Sequence, residues 1–224
     1  MPGVRRASVR FVRWDNLFDD LEGQLEHELD NEDLELRAEE ERLRLGRLSL
    51  RHRLMSLGTG AGPHAAGGVV RVVLTSGAVL ALRPTTFGRD WLAADILDAQ
   101  ATSTGTGLAG ASAPGGAQCV VPIAAIAGVI LQPAEVRASL VMPAEPEPGV
   151  VDRIGFAFVL RDLARRRKFV EVHTPGGLLS GTIDRVGRDH VDLATHERGV
   201  PRRTSEVRQY RILPLAEIQL LCLP

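Results

Sequence analysis

The chain has 224 residues, 44% of them hydrophobic and 25% charged, an ordinary balance for one or two globular domains. Its 27 Lys and Arg nearly cancel its 28 Asp and Glu, so no global field draws it to nucleic acid, and no apolar run reaches the roughly 18 residues that span a bilayer. Aromatic residues make up 4%, too few for an aromatic ligand cage. Two cysteines, Cys119 and Cys222, are too few for a disulfide framework or a four-cysteine zinc site. With no apolar leader behind the N-terminal arginines, these features predict a cytoplasmic protein that neither crosses nor enters a membrane.

The charge is unevenly placed. Residues 1–13 carry Arg5, Arg6, Arg10 and Arg13 and no acid, and read as a basic tail. Residues 14–41 carry 13 acidic residues against one arginine, Arg37, which repels a phosphate backbone and suits a basic partner. Trp14, Leu17, Phe18, Leu21 and Leu25 recur at helical spacing and are candidate partner-docking residues on an acidic arm. Leu29, Leu36, Leu43, Leu50 and Leu57 fall seven apart. The second heptad position reads Asp33, Glu40, Arg47, Leu54, which argues against a dimeric coiled coil. Residues 14–57 are therefore expected to form a pair of helices, with a break near Asn31-Glu32-Asp33 and an end at Leu57-Gly58, where a Gly-rich stretch stops the second.

The strongest signal is an internal repeat. Val73-Leu-Thr-Ser-Gly-Ala-Val-Leu followed by Phe87-Gly88-Arg89-Asp90-Trp91-Leu92 matches Val172-His-Thr-Pro-Gly-Gly-Leu-Leu followed by Val186-Gly187-Arg188-Asp189-His190-Val191, at an offset of 99. Val121-Pro122-Ile123 and Leu213-Pro214-Leu215 close the two copies at an offset of 92, so the first copy carries seven more residues, assigned to the Ala/Thr/Ser/Gly/Pro loop at 101–117. Gly88, Asp90, Gly187 and Asp189 are expected to make the turns of two hairpins. Gly181, inside a strand pattern, marks a bend. Leu82 stands opposite it in the first copy, where Pro84 implies a bulge or an edge.

A helix, five short strands, a bent second strand and an apolar-Pro closing unit resemble the Sm-like (LSm) fold, best over Gly176–Leu221, with the generic SH3-like barrel as the near competitor. The start, Arg13-Trp14-Asp15-Asn16-Leu17-Phe18, with the Asp184-Arg-Val-Gly-Arg-Asp189 run, resembles an uncharacterised actinobacterial family sometimes labelled Fis-type transcriptional regulators. In that family chains begin just before the Trp-Asp pair, so residues 1–11 read as an overlong start, with Val12 a candidate initiator. No helix-turn-helix pair supports the label. The implied architecture is α+β: an acidic helical arm and first pre-barrel helix at 14–57, a five-stranded Sm-like or SH3-like barrel at 67–132, a Pro-rich linker at 133–149, and a second helix (151–167) with its barrel in 150–224. The alternation Ile154, Phe156, Phe158, Leu160 competes with that second helix. The resemblance also implies homo-oligomers through barrel edge strands. The Sm uridine pocket is not carried over: the turn from Gly187 to Asp192 lacks the Met-Asn pair, and no Gly follows Arg211.

No catalytic, cofactor or metal motif stands in its required context, so no enzyme, cofactor or metal is expected. His173, His190 and His196 read as surface or turn residues, and Cys119 and Cys222 as buried inert thiols. The candidate nucleic-acid-binding face comprises Arg165, Arg166, Arg167, Lys168, Arg185, Arg188, Arg202 and Arg203, with Arg208 and Arg211 near in sequence. These groups would contact phosphates if they converged. The implied function is a non-catalytic regulator associated with RNA more than with DNA. The alternative is a scaffold that docks a protein through the acidic arm.

Overall fold

The computed structural model describes residues 14–58, 68–100, 117–141 and 149–223. The basic tail, the link at 59–67, the loop at 101–116 and residues 142–148 lie outside them. The chain divides into two compact units, residues 1–47 and 48–224.

The first unit holds α1, Trp14–Gly46, a single helix of 33 residues. It passes through Asn31-Glu32-Asp33 without the expected break. That segment has neither Pro nor Gly to stop a helix, and Asp33 reaches forward to Arg37 at 3.8 Å, one turn on. The interruption comes at Arg47–Ser49. There the Ser49 hydroxyl accepts the His52 amide (3.2 Å) and starts α2, Leu50–Gly58.

The second unit is built on strands β1 (Val70–Leu74), β2 (Val79–Phe87), β3 (Trp91–Gln100), β4 (Gln118–Pro122), β5 (Ile126–Ile130), β6 (Phe169–Thr174), β7 (Gly177–Val186), β8 (His190–Thr195), β9 (Gln209–Pro214) and β10 (Leu220–Leu223). They form one open antiparallel sheet in the order β5-β1-β2-β3-β4-β10-β6-β7-β8-β9. This corrects the expected architecture: there are not two separate five-stranded barrels, each preceded by a helix, but one ten-stranded sheet with few helices. The reason lies at the middle. Strands β4 and β10 pair edge to edge, with Leu221 opposite Val120 and Cys222 opposite Cys119, so the edges that would separate two bodies are joined by backbone hydrogen bonds.

The repeat survives inside the continuous sheet. The second half has the strand order of the first, each number raised by five. At offset 99, the pair Leu82–Ile96 corresponds to Gly181–Thr195, and both long strands bulge at the same place, Thr85 and Asp184. The first strand departs from that offset. Val73 faces Val79 whereas His173 faces Leu178, so β1 and β6 correspond at offset 100. The first hairpin has one more residue in its turn, where Gly77 takes φ 85°. Burial explains the shift: offset 100 sets Val70 and Val72 against Val170 and Val172, all buried, whereas offset 99 would set exposed Arg71 against Val170.

Two hydrophobic cores lie on opposite faces of the central pair, because successive side chains of a strand point to opposite sides. Leu54 of α2, Val72, Leu80 and Leu92 form the first, with Cys119, Val121, Leu220 and Cys222 from the central strands. Leu160 of α5 (Phe156–Arg165), Val172 and Leu193 form the second, with Val120 and Leu221. The apolar runs Cys119-Val-Val and Leu220-Leu-Cys are thus a wall shared by both cores, the composition of strands buried on two faces.

The expected helix at 151–167 is two pieces, α4 (Val150–Arg153) and α5, parted at Ile154-Gly155. Phe156, Leu160 and Leu163 are buried at helical spacing, and Phe158 faces out, which settles the strand-like alternation in favour of helix. The Pro-rich linker begins with α3 (Pro133–Ser139), whose Glu135 carboxylate accepts the Gln132 amide at 2.6 Å. Ser139, fully buried, accepts a hydrogen bond from Arg53 of α2 at 2.7 Å.

Candidate interaction surfaces

Of the expected docking residues on α1, the side chains of Trp14, Leu17 and Phe18 lie outside the described residues. Leu21 and Leu25 are half exposed or more, as are Leu29, Leu36 and Leu43 further along. Among the described residues, three local pairs line the same helix: Asp33–Arg37, Glu39–Arg42 and Glu41–Arg44. All are solvent-exposed, so each adds little to stability.

Five of the eight basic candidates lie beside an aspartate. Arg165 and Arg166, at the end of α5, both turn back on Asp162, at 2.7 and 2.6 Å. Their hydrogen bonds, that from Arg165 foremost, hold the Asp162 carboxyl below the usual carboxylate range. Arg167 ends the helix at φ 50°, a left-handed position usually given to Gly. Its guanidinium lies 3.9 Å from Asp184. Arg202 donates Nε to the same carboxylate at 2.8 Å, and its Nη2 donates to the other oxygen. Arg185 lies 3.8 Å from Asp192. Lys168, Arg188 and Arg203 are exposed on the α5–β6 link, the β7–β8 turn and the β8–β9 loop.

What does converge is a groove of about 510 Å³ beside β9, lined by Asp184, Arg185, Asp192, Arg202, Tyr210, Arg211 and Ile212. Three arginines against two aspartates leave it one charge positive. Asp184, Asp192 and Tyr210 were missing from the sequence-based site. The alternation Gln209-Tyr-Arg-Ile-Leu was the available signal for Tyr210. Asp184 owes its position to the bulge, which nothing in its immediate neighbourhood announces.

The two hairpin turns agree in detail. The Gly88 amide donates to the Trp91 carbonyl at 2.9 Å and that of Gly187 to His190 at 2.8 Å; Ile123 N donates to the Asp90 carbonyl and Leu215 N to that of Asp189, at 2.9 and 2.8 Å. In both, the ring three residues on covers the glycine so closely that a Cβ would collide with it, at 2.2 Å from Trp91 and 2.5 Å from His190. They differ in what they hold. The first turn receives the start of α5. Asp90 Oδ1 accepts the Phe156 amide at 2.7 Å, and the Ile154 carbonyl accepts from Arg89 N (3.0 Å) and Trp91 Nε1 (2.9 Å). At the second turn Asp189 pairs with its neighbour His190 at 2.9 Å.

The histidines correct the sequence reading. Of His173, His190 and His196, only His190 lies at the surface. His173 and His196 are buried. His196 bonds Thr182 Oγ1 at 2.8 Å and the Glu197 carbonyl at 3.0 Å. His173 Nε2 sits 3.9 Å from Cys222 Sγ, Nδ1 has no partner, and burial pushes the imidazole below its usual range. Cys119 and Cys222 are free and buried, and desolvation raises both thiols, Cys222 to about 12. Among the described residues no three His, Cys, Asp or Glu are placed to hold a metal ion, and no helix is long and apolar enough to cross a membrane. Comparison of the chain with protein-family models, curated proteins and solved structures finds no match.

Proposed function

We propose that this chain is a non-catalytic interaction scaffold whose acidic helix α1 docks a basic partner protein. The observation that carries the reading is the row of leucines on α1, Leu21, Leu25, Leu29, Leu36 and Leu43, each half or more exposed on a segment with 13 acids and one arginine. Covering such leucines is worth roughly 1 kcal/mol or more apiece. A second α1 would bring acidic faces together, so a basic amphipathic surface is the better occupant.

A second reading, association with RNA as a regulator, draws on the β9 groove. Tyr210, well exposed, stands beside Arg185, Arg202 and Arg211, a pairing suited to stacking a base and meeting its phosphate. The Sm-like resemblance of Gly176–Leu221 favours RNA over DNA. Partner capture and gel shifts on one set of proteins separate the two: the full chain, a Leu25→Glu/Leu29→Glu variant, and a chain starting at residue 48. Scaffolding predicts that both alterations abolish partner capture. Stronger low-salt binding of single-stranded RNA on removal of α1, with partner capture unchanged, would replace it with the second reading.

A further inference from the structure

The β4·β10 junction is an interface between two copies of one module, and the chain's outer strands are the counterparts of the strands that make it. At offset 92, β9 corresponds to β4 and β5 to β10. Among the described residues strands β5 and β9 each have a single partner in the sheet, so the two ends of the sheet carry the two sides of an interface that its middle has already formed.

Side chains satisfied at the junction have exposed counterparts at the ends. Val120, 6% exposed, corresponds to Ile212, 73% exposed. Helix α5 presents Phe156, Leu160 and Leu163 in the spacing with which α2 presents Leu50, Leu54 and Leu57. Phe156 is 6% exposed against the first turn, whereas Leu50, its counterpart, is 38% exposed. Asp90 caps α5, while the Asp189 side chain is 84% exposed. The His190 ring stands where Trp91 offers its indole, and the Leu48 carbonyl is the counterpart of that of Ile154. Helix α2 can stand without this contact because Ser49 supplies the cap that Gly155 lacks.

We propose that the β9 edge and the Gly187–His190 turn of one copy receive β5 and the start of α2 of a second copy of this chain, head to tail. Transposing the junction pairs Leu221–Val120 and Cys222–Cys119 sets Val129 opposite Ile212 and Ile130 opposite Arg211. Ile212 then points toward the first core of the incoming copy, against which Val129 already packs. Arg211 departs most from the template, a charge where β4 has a buried thiol, and Gly128 stands where β10 has Leu220. A charge on an edge strand discourages indiscriminate pairing, and the aliphatic stem of Arg211 can lie along Ile130 with the guanidinium at the rim. The contact is heterologous, so it propagates into a closed ring or a filament. It involves no residue of α1 and stands apart from the proposed docking role of that helix.

The test uses full-length protein carrying Val129→Cys or Ile212→Cys. Residues directly opposite in an antiparallel pair have Cα atoms about 4.5–5.5 Å apart, within disulfide reach, and the native thiols are buried. Mild oxidation of a mixture of the two variants is expected to give one dimer, joined 129 to 212, and neither variant alone should cross-link. Sedimentation of the unaltered chain should show concentration-dependent growth, weakened at least about tenfold by Ile212→Glu and strengthened by Arg211→Val. A 212-to-212 link from Ile212→Cys alone, no cross-link in the mixture, or an Ile212→Glu chain that sediments as the unaltered one would overturn the proposal.

Discussion

Asp90 and Asp189 occupy the same place in two copies of one turn, yet only Asp90 caps a helix, and the pair forms an internally controlled experiment. Replacing Asp90 with Ala removes the acceptor of the Phe156 amide, 2.7 Å away. The local N-cap is Gly155, which has no side chain to substitute. Loss of a cap costs about 0.5–2 kcal/mol. The Asp90 side chain is half exposed, so water can compensate part of it, and a value near 1 kcal/mol is expected. With an m-value of about 2 kcal/mol per M in urea, the midpoint falls by about 0.5 M at unchanged slope. Asp189→Ala, measured at low protein concentration, should leave the midpoint where it was. Adding Gly155→Asp to Asp90→Ala should restore it. Gly155 already has extended dihedrals that any residue adopts, and the atom nearest a new Cβ is the mobile tip of Arg89. Equal shifts from Asp90→Ala and Asp189→Ala, or none from either, would refute the assignment of Asp90 as the cap of α5.

Gly181→Ala should destabilise the fold by about 3 kcal/mol or more, because its Cβ would fall 2.0 Å from the Ala194 carbonyl oxygen, which is backbone and cannot swing aside; thermal melting checks this, and a near-normal melt would mean the β7–β8 approach is looser than described. His173 makes the fold sensitive to acid: its folded pKa lies below the 6.5 of the unfolded chain, so the unfolded state takes up the proton first. Stability contributed by the neutral ring is therefore present above 6.5 and lost as pH falls through it toward the folded value, at no more than about 1.4 kcal/mol per pH unit. Urea midpoints between pH 7.5 and 5 should decline less steeply for His173→Phe than for the parent, and parallel profiles would exclude this histidine.

Much of the fold was legible because it is written twice. Turn glycines, a shared Gly-Arg-Asp and two apolar-Pro units each named their counterpart, and the hydrogen bonds at Gly88 and Gly187 repeat that correspondence. The joining of the halves was harder to see, since pairing between two strand edges uses backbone groups and leaves no side-chain period. The continuous apolar runs at 119–121 and 220–223 were its only trace, signalling burial on both faces. The one-residue slip between β1 and β6 was hidden by matching Thr75 with Thr174, which lie at the ends of unequal turns. The pairing within the basic cluster was hidden for a related reason: Asp162 sits one turn before Arg165 and Arg166, and Asp184 and Asp192 come to their arginines from other elements, so five of the eight cations lie beside an aspartate while Lys168, Arg188 and Arg203 stay exposed.

The shared wall also sets an order of events during synthesis. Strand β4 is made near the midpoint of the chain, but its partner β10 arrives only with residues 220–223. Until then the inner edge of the first half is bare, and Val72, Leu80 and Leu92 lack Leu220 and Cys222. The nascent first module is thus a sticky, half-finished surface for about a hundred residues of translation, and a ribosome stalled within the second copy would hold out a strand edge for any passing chain to complete.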